Sequence, residues 1–275
     1  MTESVFDSPE AAARWRAGAD RRAAYLAGAT ERLLEAAGVV PGARVLDLGT
    51  GTGDTAILAA RRVGPSGRVL ATDISAAMLE AARETAAEAG LTNLDFQLAD
   101  AGALELEAGT FDAVIARFSL MFLPDLPTAL AGIRQVLRPG GALGALVWAP
   151  AEENPFLSLT TRVARRTGRL RLPEERVSGP FQLADADGLQ RLAQAAGWEN
   201  VAAEPVPLRM RFPDAATANE ALRTSPLTGA ILDALEEPER ATFWDDVQAE
   251  LELFRVGEGY AFPGLALLLR DRNRS

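Results

Sequence analysis

The chain has no histidine, no cysteine and no lysine; all 28 of its Lys+Arg residues are arginine. Without His and Cys it can build neither a Cys/His zinc site, nor a Ser-His-Asp triad, nor a thiolate nucleophile. Without Lys it has no Schiff-base amine and no P-loop lysine. No metal site is expected. The longest apolar runs, GGALGALVWAP and GLALLL, fall well short of the ~18 residues that cross a bilayer, so no membrane span is expected and both read as buried strands. The opening MTESVFDSPE is acidic and lacks the basic-then-apolar order of a secretory signal. Together with the missing cysteines, this predicts a soluble, cytoplasmic protein.

What is present is an ordinary globular balance over 275 residues, 48% hydrophobic and 24% charged. Acids outnumber arginines 38 to 28, giving a net charge of -10. Nucleic-acid binding needs a basic face that displaces counterions, so no nucleic-acid partner is expected. One run stands against that balance: Arg162, Arg165, Arg166, Arg169, Arg171 and Arg176. A solvated helix face is the plainer reading of such a run.

Two helical stretches occupy residues 8 to 38, with Gly38 as their stop. From Pro41-Gly42 the pattern alternates. Strands RVLDLG, VLATD (69–73), LDFQLA (94–99), FDAVIARF (111–118) and GALGALVW (141–148) are separated by helices near 54–63, 76–89 and 126–137. Ser75 is placed to cap the second of these. Such alternation implies right-handed crossovers and an α/β, doubly wound, Rossmann-like, seven-stranded, mostly parallel sheet with helices on both faces. N-terminal helices and helical cap insertions complete the expected architecture. Residues 1–40 are read as a helical lid, 41–150 as the α/β core and 151–275 as the rest of the sheet. The last part carries insertions at 151–183 and 214–256, a helix at 186–197 and a final strand near 260–270. The insertions are expected to cap the carboxyl edge of the sheet, where ligands of open α/β sheets bind.

The segment Val45-Leu46-Asp47-Leu48-Gly49-Thr50-Gly51-Thr52-Gly53-Asp54 ends one strand and opens one helix. A dinucleotide fingerprint wants G-x-G-x-x-G, but here Asp54 stands where its third glycine belongs. An acid over a helix start repels a pyrophosphate. Asp47 and Asp54 therefore point to a cationic or zwitterionic ligand. With ATDIS (71–75), LADA (98–101), FDAVIARFSLMFLPD (111–125) and LRPGGAL (137–143), this loop resembles the class I S-adenosylmethionine-dependent methyltransferases. The resemblance covers residues 43 to 148 and is strongest to the small-molecule branch that includes the ubiquinone/menaquinone C-methyltransferases.

The resemblance implies a methyltransferase that uses S-adenosyl-L-methionine and releases S-adenosyl-L-homocysteine. Gly49, Thr50, Gly51, Thr52 and Gly53 would wrap the methionine part, with Asp47 towards its ammonium. Asp73 would accept the ribose hydroxyls, Ile74 and Met78 would sandwich the adenine, and Asp100 and Ala101 would meet its amino group and ring. Arg117 would lie at the methionine end. The acceptor is expected to be a small apolar or aromatic molecule. Trp15, Tyr25 and Phe122 are the candidate walls, alongside Phe118, Phe156 and Trp244; any of these can equally be core. No catalytic residue is singled out, since in-line displacement needs alignment and dryness more than acid–base help. Three readings stay open beside this one: an RNA or protein target, a non-methylating use of the same cofactor, and a nicotinamide oxidoreductase. The apolar N-terminal arm is compatible with a homodimer.

Overall fold

A computed structural model describes residues 8–173 and 179–273. Two N-terminal helices, α1 (Pro9–Ala17) and α2 (Ala19–Ala36), meet at Gly18. The Ser8 side chain caps α1 by accepting from the Ala11 amide. Gly38, in left-handed conformation, ends the segment as expected. Five strands and their helices follow: β1 (Arg44–Leu48), α3 (Asp54–Val63), β2 (Arg68–Asp73), α4 (Ala76–Glu88), β3 (Leu94–Leu98), β4 (Phe111–Arg117), α5 (Leu126–Val136) and β5 (Leu137–Trp148). The Ser75 hydroxyl accepts from the Met78 amide, so the predicted cap of α4 is the one observed.

These strands run parallel, and the central ones, β1 and β4, are mostly apolar and buried because helices cover both faces. Val45, Leu46, Leu48, Val114, Ile115 and Leu146 pack into one core with Leu33 of α2 and Ile133 of α5. The sheet order is β3-β2-β1-β4-β5-β8-β6. The direction of winding reverses between β1 and β4, which opens a crevice at their carboxyl ends.

The second half adds α6 (Pro155–Arg166), α7 (Ala186–Ala195), β6 (Ala202–Phe212), α8 (Ala215–Arg223), α9 (Pro226–Asp233), α10 (Glu237–Glu252), β7 (Arg255–Val256) and β8 (Gly259–Arg272). The sheet is thus the expected doubly wound one, extended by the two-residue β7. Helix α10 ends at Glu252, and the left-handed Gly257 lets the chain turn from β7 straight back onto β8. β8 lies antiparallel to both β5 and β6.

Trp148, the last residue of β5, pairs with Ala266, so residues 259–265 of β8 run on past the parallel strands and pair with β6 and β7. Around this protruding ribbon a second apolar cluster forms: Phe156 and Leu159 from α6, Phe212 from β6, Phe243 and Val247 from α10, and Phe262 from β8. Phe262 stands at its centre, with ring centroids 5.0 Å from Phe156, 6.0 Å from Phe212 and 4.4 Å from Phe254. Phe156 is therefore core, not a pocket wall. Its packing leaves no face for a ligand.

The arginine run is consumed by this same unit. Arg162 and Arg166 reach Glu250, Arg169 reaches Asp246 and Arg171 reaches Glu239, all on α10. Arg176 lies outside the described residues. These four arginines tie α6 and the segment after it to α10. Because the Phe262 ring is fully buried among other rings, Phe262→Ala should cost about 3–5 kcal/mol of unfolding free energy. Denaturant titration measures it; a loss under about 1 kcal/mol would contradict the packing.

Candidate functional site

The ends of β1, β2 and β4 stand side by side because the parallel register aligns Asp47 with Ala71 on one neighbour and Ile115 on the other. Asp47 is 1% exposed. Its Oδ2 accepts from the Thr50 hydroxyl at 2.7 Å. Burial pushes its carboxyl up to about 6, against the opposing pull of the Thr50 bond and of nearby Arg117.

From Asp47 the chain leaves the sheet as a loop whose three glycines, Gly49, Gly51 and Gly53, all have positive φ. Two of them also lie too close to a neighbour for a side chain: a Cβ on Gly49 would stand 2.5 Å from the Ser119 Cβ, and one on Gly53 would stand 3.1 Å from the Ala82 Cβ. The loop is tied to its neighbours by backbone bonds. The Thr50 amide donates to the Thr72 carbonyl at 2.9 Å, and the Ser119 hydroxyl donates to the Leu48 carbonyl at 2.7 Å.

Asp73, at the end of β2, receives the Gly51 amide on Oδ2 at 2.8 Å and the Ser75 amide on Oδ1 at 3.0 Å. One carboxylate thus fixes the glycine loop to the start of α4. The Ala99 amide donates to the Asp73 carbonyl, which brings Asp100 and Ala101 next to that strand end. Asp100 accepts the Gly102 amide at 2.7 Å, a local turn bond that orients it. Ile74 projects outward, 61% exposed, whereas Met78 is 3% exposed. Phe122 sits 55% exposed on a short 3-10 turn after β4.

Trp15 and Tyr25 reach the site from the N-terminal helices. α1 is held to α4 by Arg16, which contacts Glu84 at 2.7 Å and Glu88 at 2.8 Å. Arg22 of α2 stacks its guanidinium 4.1 Å from the Trp15 ring centroid and donates to the Trp15 carbonyl at 2.6 Å. Tyr25 packs against both apolar clusters. Burial drives its hydroxyl pKa upward, against the pull of Arg22 and Arg117.

Asp54 is not the free acid that the loop pattern suggests. Its Oδ2 lies 3.3 Å from Arg22 and 3.4 Å from Arg117. Two arginines more than cancel its charge, so negative charge for a cationic ligand falls to Asp47 and Asp73. Arg22 was missed in the sequence. Its signal is that it continues, one turn back, the buried stripe Leu26-Ala29-Thr30-Leu33 of α2.

Two further residues also escaped notice as a pair. Phe118, the one non-glycine residue with positive φ among the described residues, stacks on Trp148 with centroids 3.9 Å apart and planes 10° from parallel. Such strain collects at functional sites. Of the remaining wall candidates, Trp244 is covered by Arg223, whose Cζ lies 3.7 Å from the ring centroid.

A doubly wound sheet with a glycine loop at its switch point defines a Rossmann-like ligand-binding domain. Residues 45–141 match the methyltransferase domain family, so this segment of the chain is similar to a methyltransferase domain. A nocamycin O-methyltransferase of Saccharothrix syringae is 41% identical over 113 residues, 41% of this chain and 40% of that protein. The ubiquinone/menaquinone biosynthesis C-methyltransferase UbiE of Teredinibacter turnerae is 38% identical over 122 residues, 44% of this chain and 49% of its own. The chain thus spans about half the length, or less, of these curated relatives. Among solved structures, a Bacillus halodurans protein superposes with a TM-score of 0.60 at 19% identity, covering 90% of this chain and 99% of that one. That likeness extends the shared fold through the second half of the chain. No helix among the described residues is long and apolar enough to cross a membrane.

The buried Asp47 has a consequence for stability. Its folded pKa, about 6, lies above that of an unfolded aspartate. The folded state therefore holds this proton more tightly, and the resulting stabilisation is full below about pH 4 and lost as pH rises through about 6. Asp47→Asn should be more stable than the parent at pH 8 by on the order of 2 kcal/mol, with the gap shrinking at pH 5. Guanidinium titrations at both pH values measure the gap; equal differences at both would refute the assignment.

Proposed function

We propose that the chain is an S-adenosylmethionine-dependent methyltransferase acting on a small, apolar or aromatic acceptor. The observation that carries this reading is the Asp73 carboxylate at the end of β2, held by the Gly51 and Ser75 amides beside the glycine loop. A carboxylate at a strand end accepts paired hydroxyls with charge-assisted strength, which suits a ribose. The local charges suit the donor too. Asp47, Asp73 and Asp54 against Arg22 and Arg117 sum to one negative charge when all are ionised, and S-adenosylmethionine carries one net positive charge.

On this reading Gly49 and Gly51 give backbone access, Asp47 faces the ammonium end, and Ile74, Met78, Asp100 and Ala101 border the adenine. When bound, the cofactor supplies a sulfonium methyl group that transfers in line, leaving a neutral thioether. The chain's own part is alignment and dryness. α1 and α2 bring Trp15 and Tyr25 over the loop, and the insertions form a cap at the carboxyl edge. Phe118, with Phe122 further out, contributes apolar wall for an acceptor. The small-molecule reading draws support from the curated relatives, whose names are those of small-molecule methyltransferases. The ion-paired arginine run lends none to a polyanionic target.

Thermal shift with S-adenosylmethionine, S-adenosylhomocysteine and NAD tests the donor. At about 100 times its dissociation constant a true ligand stabilises by about 2.7 kcal/mol. Asp73→Asn and Gly51→Val should each abolish most of the shift given by the adenosyl ligands; full shifts in both variants, or a response to NAD alone, would rule the reading out. Incubation with quinols, phenols and amines should yield a product heavier by one methyl group, and mass spectrometry identifies which acceptor class responds.

A further inference from the structure

The two edges of the sheet are built differently. At one end of the strand order stands β6, at the other β3. The exposed positions of β6 are Pro205, Pro207, Arg209 and Arg211. The prolines remove backbone donors and the arginines add charge, and both keep a foreign strand away. β3 has neither proline nor arginine. It reads Leu94-Asp95-Phe96-Gln97-Leu98 and pairs only with β2 among the described residues. The Asn93 carbonyl accepts from the Val69 amide, and the Ala99 amide donates to the Asp73 carbonyl. By alternation, Asp95 and Gln97 turn their backbone groups to β2. Those of Leu94, Phe96 and Leu98 face outward, a row of donors and acceptors that no other strand meets. The side chains beside that row are open too: Asp95 and Gln97 are exposed, Phe96 is half-buried and Leu98 is 59% exposed.

We propose that β3 is a homodimer interface, at which the same strand of a second copy adds antiparallel about a two-fold axis through Phe96. The strand's own sequence favours a second copy, because it reads alike from both ends: leucine, polar residue, phenylalanine, polar residue, leucine. Centred on Phe96, the register sets Leu94 against the partner's Leu98, Phe96 against the partner's Phe96 and Asp95 against the partner's Gln97. Leu94, Phe96 and Leu98 each exchange both backbone bonds with their counterpart. Asp95 and Gln97 form the closer, non-hydrogen-bonded pairs, in which the carboxylate accepts from the partner's Gln97 amide. No acid of the strand meets an acid across the axis, which matters in a chain of net charge -10. Leu98, left exposed in the single chain, gains cover on the face it shares with Leu94 and Phe96. A one-residue slip would aim the outward groups at residues whose own groups point to β2, so it is excluded. A strand of 5 residues contributes little of the roughly 1,200 Å² that a stable interface buries, so the dimer is reversible.

Sedimentation velocity of the full chain, without ligand, tests the interface. The wild type should pass from monomer to dimer as its concentration rises to about 100 µM. Leu98→Pro removes an outward N–H while leaving the bonds to β2 in place, and should weaken the dimer by about ten-fold or more. Gln97→Glu sets an acid against the partner's Asp95 on both sides of the axis and should weaken it by about ten-fold. Adding Asp95→Lys to Gln97→Glu turns both clashes into opposite-charge pairs. It should return the dissociation constant to within about three-fold of the wild type.

A wild type that stays monomeric throughout the series overturns the proposal and leaves the edge to a strand of some other protein. So does a dimer that neither Leu98→Pro nor Gln97→Glu weakens, since its contact then lies elsewhere, such as the N-terminal helices. Failure of Asp95→Lys to rescue Gln97→Glu overturns the antiparallel register and the two-fold pairing with it. If Leu98→Pro does not fold, Gln97→Glu and its rescue decide alone, because both side chains are exposed and their exchange should leave the monomer's thermal unfolding unchanged.

Discussion

A carboxylate buried at the end of the central strand is the constraint from which the site follows. Asp47 lies between two strands that are themselves covered by helices, where charge is disfavoured and every polar atom needs a partner. Thr50 supplies that partner three residues on, so the chain must turn back tightly as soon as it leaves the sheet. Only glycines in left-handed conformation make that turn while leaving the space above it open. The loop is thus shaped from below by the needs of Asp47 and from the side by Asp73, whose carboxylate holds the Gly51 amide. Structure and ligand recognition draw on the same two acids.

Around this pair the charges are layered. Asp73 spends its oxygens on backbone amides, which orient it without cancelling its charge. Asp54, by contrast, is matched by two arginines and faces the N-terminal helices. Arg22 in turn holds Trp15 by its carbonyl and ring, so the helix that covers the loop is attached through the same ionic cluster that begins α3. The exposed Arg16 bridges to α4 add little by comparison, since partly solvated pairs contribute weakly.

The fold was legible wherever local pattern and burial agree. Helix 54–63 and the strand ends at Asp73 and Trp148 lie where the sequence puts them, because apolar runs, turn glycines and the Ser75 cap are short-range signals. The glycine loop was legible for the same reason. What escaped was pairing over distance. Arg117 and Arg22 are 95 residues apart in the chain, since 117 − 22 = 95, and both meet Asp54. The pattern alone made Asp54 a free acid and the arginine run an open face. Phe156 passed for a wall until its neighbours Phe212 and Phe262 were in view.

The order of residues by itself determined an alternating α/β sheet, a glycine turn after the first strand and acids at two strand ends, because each depends on contacts within a few residues. It also closed off Cys/His zinc sites, thiolate and lysine chemistry through composition alone. Only the tertiary structure decided which charges survive. Side chains that titrate or pair across the sheet edge do so by through-space distance and loss of water, and neither quantity is written in any local stretch of the chain.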